Sequence, residues 1–256
     1  MQIKLKLQNI ALLNLYKYDR IKSNTEKEVK RVSEKKYSTA IILIILICCS
    51  VMTVVDGIIV PDYWVKSVIK IVFFLGLPFI YFCFDSSADL KSLFIPRKKG
   101  IKTALMLCLP IYIIIVGAYL LFKDIFDFSG ITASLTSGIG VNKDNFVYVS
   151  IYISFINSLL EEFFFRGFAF LTLKKYIGIK SAMIISAVGF AVYHIAMMTS
   201  MFSPWVFALS FIGLLAGGVI FNMLNLKSES LYTSWFVHAF ANFGINTVGF
   251  ILFGII

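Results

Sequence analysis

The feature that most limits the fold is the length of uninterrupted apolar sequence. Runs at about 37–60, 65–84, 101–122, 146–173, 178–199, 203–224 and 231–254 are dominated by Ile, Leu, Val and Phe. Each comes close to the roughly 20 residues that a helix needs to cross a hydrocarbon core. With 59% hydrophobic residues, 15% charged residues and 26 Phe among 256 positions, the chain is too apolar for a soluble domain of its size. The expected fold is all-α: a polytopic transmembrane helix bundle of about seven spans, within a range of six to eight.

The net charge of +10 does not indicate nucleic acid, because the basic residues cluster at the ends of the apolar runs, where the positive-inside rule places them. Residues 1–36 carry ten Lys or Arg against four acids (Asp19, Glu26, Glu28 and Glu34) and read as a basic cytoplasmic tail. Within it, Met1–Tyr18 mixes Ile, Leu and Tyr with Lys4, Lys6 and Lys17, a pattern able to lie on an anionic membrane surface. No cleavable signal is evident, so the first span is expected to act as the targeting signal. With the N-terminus cytoplasmic, nineteen basic residues fall inside; outside fall four, Lys66, Lys70, Lys123 and Lys143, which leaves Arg166 alone within the membrane.

The expected organisation follows: a tail at 1–36, three helices over 37–122, an external loop at 123–145 and a core over 146–254. The loop holds Gly130, Gly138 and Gly140 among Ser and Thr and reads as flexible. Asp56, Gly57 and Pro110 mark candidate kinks or helix ends, with Asp56 expected to be a snorkelling or capped residue near the outer face rather than a catalytic one. Gly217-Gly218 reads as a close helix contact. Cys48, Cys49, Cys83 and Cys108 all lie in apolar segments without Cys-x-x-Cys spacing, which suggests neither a disulfide framework nor a thiolate zinc site.

The segment Asn157–Arg166, Asn-Ser-Leu-Leu-Glu-Glu-Phe-Phe-Phe-Arg, sets two carboxylates and a guanidinium inside an otherwise apolar run. Each charge costs roughly 2.5–3.5 kcal/mol at the centre of a membrane helix unless it is paired or faces a polar cavity. Residues four apart share a helix face. Glu162 and Arg166 can therefore pair, while Glu161 falls on the stripe of Asn157 with no built-in counter-ion. That makes Glu161 the better candidate for proton transfer.

Both histidines of the chain also fall in apolar runs. His194 follows Phe190 by four residues, and His238 shares a face with Asn242 and Asn246. At 1.5 Å rise per residue, counted from Lys174, Lys180 and Ser230, Glu161 lies about 20 Å deep, His194 about 21 Å and His238 about 12 Å. The first two agree, and the third is about 8 Å short. A carboxylate and an imidazole at one depth can activate a water, and a second imidazole with an amide can donate to an oxyanion. No Gly-x-Ser-x-Gly elbow or His-Glu-x-x-His helix is present.

Glu161-Glu162-x-x-x-Arg166, Phe190-x-x-x-His194 and His238-x-x-x-Asn242 resemble, in order and on separate helices, the three motifs of the CAAX protease and bacteriocin-processing family of intramembrane glutamic endopeptidases, of the type 2 CAAX prenyl endopeptidase kind. The resemblance covers roughly Phe146–Gly249 and departs at no motif position. It implies catalysis by Glu161, His194, His238 and Asn242, with Glu162, Arg166 and Phe190 in support. It implies no cofactor, zinc being the less favoured alternative because the ligands would have to come from three helices without a short-spaced pair. The implied partners are membrane lipid and a membrane-associated peptide or protein substrate.

Two other classes use the same residues. One is a non-proteolytic bacteriocin self-immunity or scaffold protein, in which the polar network only holds helices together. The other is an ion- or proton-coupled transporter, against which the lack of an internal repeat argues. The Ile-, Lys- and Asn-rich composition is that of a low-GC bacterium, where prenylated substrates are not expected.

Overall fold

A computed structural model of the chain describes residues 2–85, 88–199 and 203–256, with backbone alone for residues 2–22 and Ser129. Among the described residues there are helices and no strands. Seven helices among the described residues are long and apolar enough to cross a membrane: Ser23–Ile59, Tyr63–Phe84, Lys98–Phe122, Phe146–Ile177, Ile179–Thr199, Pro204–Ser228 and Leu231–Leu252. These are the first to seventh spans below. The all-α multi-pass bundle expected from the apolar runs is therefore present, and six spans match their sequence-read limits to within four residues.

The first span differs. Its helix begins at Gln2 and continues unbroken to Val54, so the segment read as a tail is helical and runs directly into the membrane segment. The side chains of Met1–Tyr18, on which the surface-lying expectation rests, are outside the described residues. The segment 123–145 also differs from a flexible loop, because Ser129–Ile139 is helical and ends at Gly140, which is left-handed at φ 68°. Gly140 adopts that conformation without a Cβ penalty, and its carbonyl accepts from Asn145 Nδ2 at 2.8 Å. Pro110 lies inside a continuous helix, Lys98–Phe122, and does not end it.

Two of the four cations read as external are not in loops. Lys66 and Lys70 lie one turn apart on the second span and both are buried. Lys66 Nζ is 2.6 Å from Asp56 Oδ1, so Asp56 is a buried counter-ion rather than a snorkelling residue. Asp56 sits in a π-helical turn, Val55–Ile59, that closes the first span. Asp62 then caps the second span, accepting the Trp64 N–H at 2.9 Å across the short Pro61-Asp62 connection. At the far end of the second span the Asp85 carboxylate accepts from Tyr81 Oη at 2.7 Å and from Tyr176 Oη of the fourth span.

The fourth span is the axis of the bundle. Half of its apolar window is buried, against 6% of the third span's. Phe163, Phe164, Phe165, Phe168 and Phe170 are all enclosed, and Phe164 stacks on Phe74 of the second span at 4.1 Å. In a bilayer such contacts gain from dispersion rather than from expelling water. The span winds as a π-helix over Ile153–Asn157 and again over Glu162–Thr172. Side chains of other spans meet carbonyls along these stretches: Trp235 Nε1 donates to Phe155 O at 3.1 Å, and Ser186 Oγ donates to Phe165 O at 2.7 Å.

Small residues set the closest helix approaches. A Cβ on Gly218 would lie 3.1 Å from the Ala187 backbone, placing the sixth span directly against the fifth. A Cβ on Gly217 would meet nothing within 4 Å. Of the adjacent pair, Gly218 alone makes the close contact. Gly218→Leu is accordingly expected to cost about 1–3 kcal/mol through overpacking and to lower the thermal midpoint of the purified protein. Gly217→Leu is expected to leave it unchanged in the same melting assay.

Candidate active site

The fourth, fifth and seventh spans converge on the Glu161 carboxylate. Glu161 is buried, and its Oε1 lies 4.0 Å from His194 Nε2 while its Oε2 lies 3.7 Å from His238 Nε2. Both separations exceed a hydrogen bond and are of a size that a bridging water spans. The structure thus brings together the three groups that the sequence singles out on separate helices.

The imidazoles are oriented from behind. His194 Nδ1 is 2.7 Å from the Phe190 carbonyl, and His238 Nδ1 is 2.8 Å from Glu162 Oε1. Carbonyl and carboxylate oxygens only accept, so each Nδ1 carries a proton, and Nε2 is the nitrogen turned toward Glu161. His238 reaches both glutamates despite the smaller depth counted for it. A π-helix places more residues in each turn, so Glu162–Thr172 rises less than an α-helix of equal length, which removes part of that difference.

Glu162 pairs with Arg166 as the four-residue spacing requires, at 3.4 Å, and both side chains are wholly buried. At that separation the pair is an ionic contact, and among the described residues neither the Arg166 nitrogens nor Glu162 Oε2 has a hydrogen-bond partner. Aromatic faces take that place: the guanidinium lies 4.0 Å from the ring centre of Phe190 and 5.0 Å from that of Phe221. Phe221 in turn stacks on His238 at 5.3 Å, and Phe190 meets the His194 ring edge-on at 4.9 Å. Phe190 therefore supports the site twice, through its carbonyl and through its ring.

Glu161 is not the unpaired carboxylate that its helix alone suggests. Lys70 Nζ of the second span lies 2.5 Å from Glu161 Oε1 and 2.6 Å from Asn157 Oδ1. Asn157 Nδ2 donates to the same Glu161 oxygen at 3.1 Å, as their shared stripe predicts. Lys70 was the residue that sequence reading missed. Its only signal is a lysine within an apolar run, four residues after another on the same face. Phe221, without a motif around it, carries no signal at all.

Asn242 stands one turn from His238, and its Nδ2 donates to Ile153 O at 3.1 Å. Asn246 Nδ2 donates to Ser150 O at 3.1 Å and to Ser154 Oγ at 3.0 Å. The His238, Asn242 and Asn246 face therefore docks on the fourth span, with Asn242 directed at its first π turn. The donor set suits a metal poorly: Glu161 Oε1 already holds an ammonium, and His238 Nδ1 is committed to Glu162. Among the described residues no group of three or more His, Cys, Asp or Glu is arranged to hold a metal ion.

Over residues 143–244 the sequence matches the family described as type II CAAX prenyl endopeptidase Rce1-like. This part of the chain is similar to that family. The matched segment contains Glu161, Glu162, Arg166, Phe190, His194, His238 and Asn242 and agrees with the limits of the resemblance seen in the motifs. Lys70 and the first three spans lie outside it. No curated protein and no solved structure matches the chain. The seven spans make this a multi-pass membrane protein, and its residues 143–244 are similar to a CAAX-type peptidase family.

Arg166→Met is expected to destabilise the protein by about 3–5 kcal/mol, because it strands the Glu162 carboxylate in a dry interior. Adding Glu162→Gln to that variant is expected to recover part of the loss, measured as the unfolding midpoint of single and double variants.

Proposed function

We propose that the protein is an intramembrane endopeptidase that hydrolyses a peptide bond in a membrane-associated protein or peptide, with Glu161 as the base. The observation that carries this reading is the Glu161 carboxylate facing two Nε2 atoms at 4.0 and 3.7 Å, within the membrane-spanning part of a segment that matches an endopeptidase family. A water held there lies between a proton acceptor and two oriented rings.

In this scheme Glu161 takes one proton from the water while His194 Nε2 accepts a hydrogen bond from the other and fixes the attacking lone pair. The water oxygen bonds to the substrate carbonyl carbon, and the carbonyl electrons move onto its oxygen. That oxyanion is received by His238 and Asn242, an effect worth about 3 kcal/mol for each well-placed donor. For His238 the role requires a proton on Nε2 as well as on Nδ1, a doubly protonated ring flanked by Glu161 and Glu162. For Asn242 it uses the second amide N–H, since the first is engaged with Ile153. Collapse of the intermediate breaks the C–N bond, and the proton held by Glu161 passes to the departing amine. Glu162, Arg166 and Phe190 hold His238 and His194 in place. No step uses a metal.

We place the N-terminus on the cytoplasmic side. With Lys66 and Lys70 counted inside the membrane, the basic residues outside it divide nineteen against two, which strengthens the positive-inside argument. The low-GC bacterial character of the sequence favours a membrane-bound precursor peptide over a prenylated protein as substrate.

The deciding experiment is cleavage of a fluorogenic panel of membrane peptides by purified protein. Glu161→Gln and His194→Ala are expected to abolish cleavage, or to lower it at least about 100-fold, with yield and melting midpoint retained. A zinc chelator is expected to leave the wild type active. Loss of activity in chelator, restored by zinc, would replace glutamate catalysis by a metal mechanism. Retention of cellular function by Glu161→Gln would instead assign the chain to the non-proteolytic immunity or scaffold class.

A further inference from the structure

The proposed reaction uses residues of the Rce1-like segment, yet the group closest to the Glu161 carboxylate comes from outside it. We propose that Lys70 is a positioning residue of the active centre, holding Glu161 so that its Oε2 is the oxygen that receives the water's proton. The inference rests on the proteolytic reading given above.

Three observations carry it. First, Oε1 accepts from Lys70 Nζ at 2.5 Å and from Asn157 Nδ2 at 3.1 Å. A carboxylate oxygen has about two lone-pair sites, so Oε1 has no site left for a reacting water and Oε2 does. Second, Oε2 is the oxygen that faces His238 Nε2, at 3.7 Å, the side on which the oxyanion is to be received. Third, Lys70 is itself fixed. Its Nζ also donates to Asn157 Oδ1 at 2.6 Å, closing a triangle of Lys70, Asn157 and Glu161, and it lies 4.8 Å from the ring centre of Tyr193. An ammonium held by three partners on two other helices is kept against the carboxylate it orients.

The alternative is an ion pair that only bolts helices together. The same span provides a control for this in Lys66, which is buried and paired with Asp56 at 2.6 Å, where Lys70 is paired with Glu161. Loss of Lys66 removes the same charge from the same helix without touching Glu161.

The test is the rate and KM of cleavage of one membrane peptide by wild type, Lys66→Met, Lys70→Met and Lys70→Ala, with Glu161→Gln measured alongside. Lys70→Met is expected to lower kcat by about 100-fold with KM within threefold, the pattern of an interaction needed in the transition state and the size of effect that a misplaced reacting group produces. Lys66→Met is expected to lower the melting midpoint while keeping kcat. Ethylammonium is expected to restore part of kcat to Lys70→Ala, which a helix bolt would not do. If Lys70→Met is not recovered folded, Lys70→Ala purified in ethylammonium and diluted out of it at the start of the assay decides: a fall in kcat upholds the role, and an unchanged kcat overturns it. A kcat for Lys70→Met within threefold of wild type, with Glu161→Gln inactive, overturns the inference and leaves the protease reading standing. Full activity in Glu161→Gln overturns both.

Discussion

A charge inside hydrocarbon has to be met by an opposite charge or an electron-rich face, and this requirement organises the bundle. Asp56 and Lys66 join the first span to the second, Lys70 and Glu161 join the second to the fourth, and Glu162 joins Arg166 of its own span to His238 of the seventh. These contacts form a path of polar groups through an interior otherwise filled by phenylalanine. The third span has no such contact and lies at the edge, held to the seventh by packing of Ile115 over Gly244 and by a Tyr112–Thr247 hydroxyl contact at 3.2 Å. Charge pairing selects which helices meet, and aromatic packing fills the space between them.

The same pairing gives the site its mixed character. A buried ion pair is a poor source of stability, because desolvation offsets most of the attraction, while breaking one is costly. Six ionisable groups and two histidines kept in such a place are expensive unless they do something besides hold helices. Arg166 is the clearest case: it gives up hydrogen bonds for two aromatic faces and so keeps Phe190 and Phe221 aligned against both imidazoles. The guanidinium acts on the site through those rings, and a lysine of equal charge could not reproduce its planar stacking.

Much of this was legible in the sequence because the membrane simplifies the code. Apolar length fixed the span count, and four-residue spacing foretold the Glu162–Arg166 and Asn157–Glu161 contacts. Two things were hidden. Lys66 and Lys70 sit near a span end, where a lysine ordinarily belongs to the interface, and only the fold reveals the carboxylates that draw them in. The π winding of the fourth span was equally invisible, since no residue type announces it. It follows from packing and from side chains such as Trp235 and Ser186 that take up its carbonyls.

The Lys70–Glu161 pair links residues 91 positions apart in the chain. During synthesis at roughly 5–20 residues per second, the second span therefore exists for about 5–20 seconds before its counter-ion is made. Lys66 has no such wait, because Asp56 precedes it. For that interval Lys70 carries a cost of roughly 2.5–3.5 kcal/mol if it lies in lipid, enough to keep the span near the edge of the insertion machinery. Arrival of the fourth span removes the cost. The ammonium nearest Glu161 is thus made well before its partner, whereas Lys66 follows its own counter-ion along the chain.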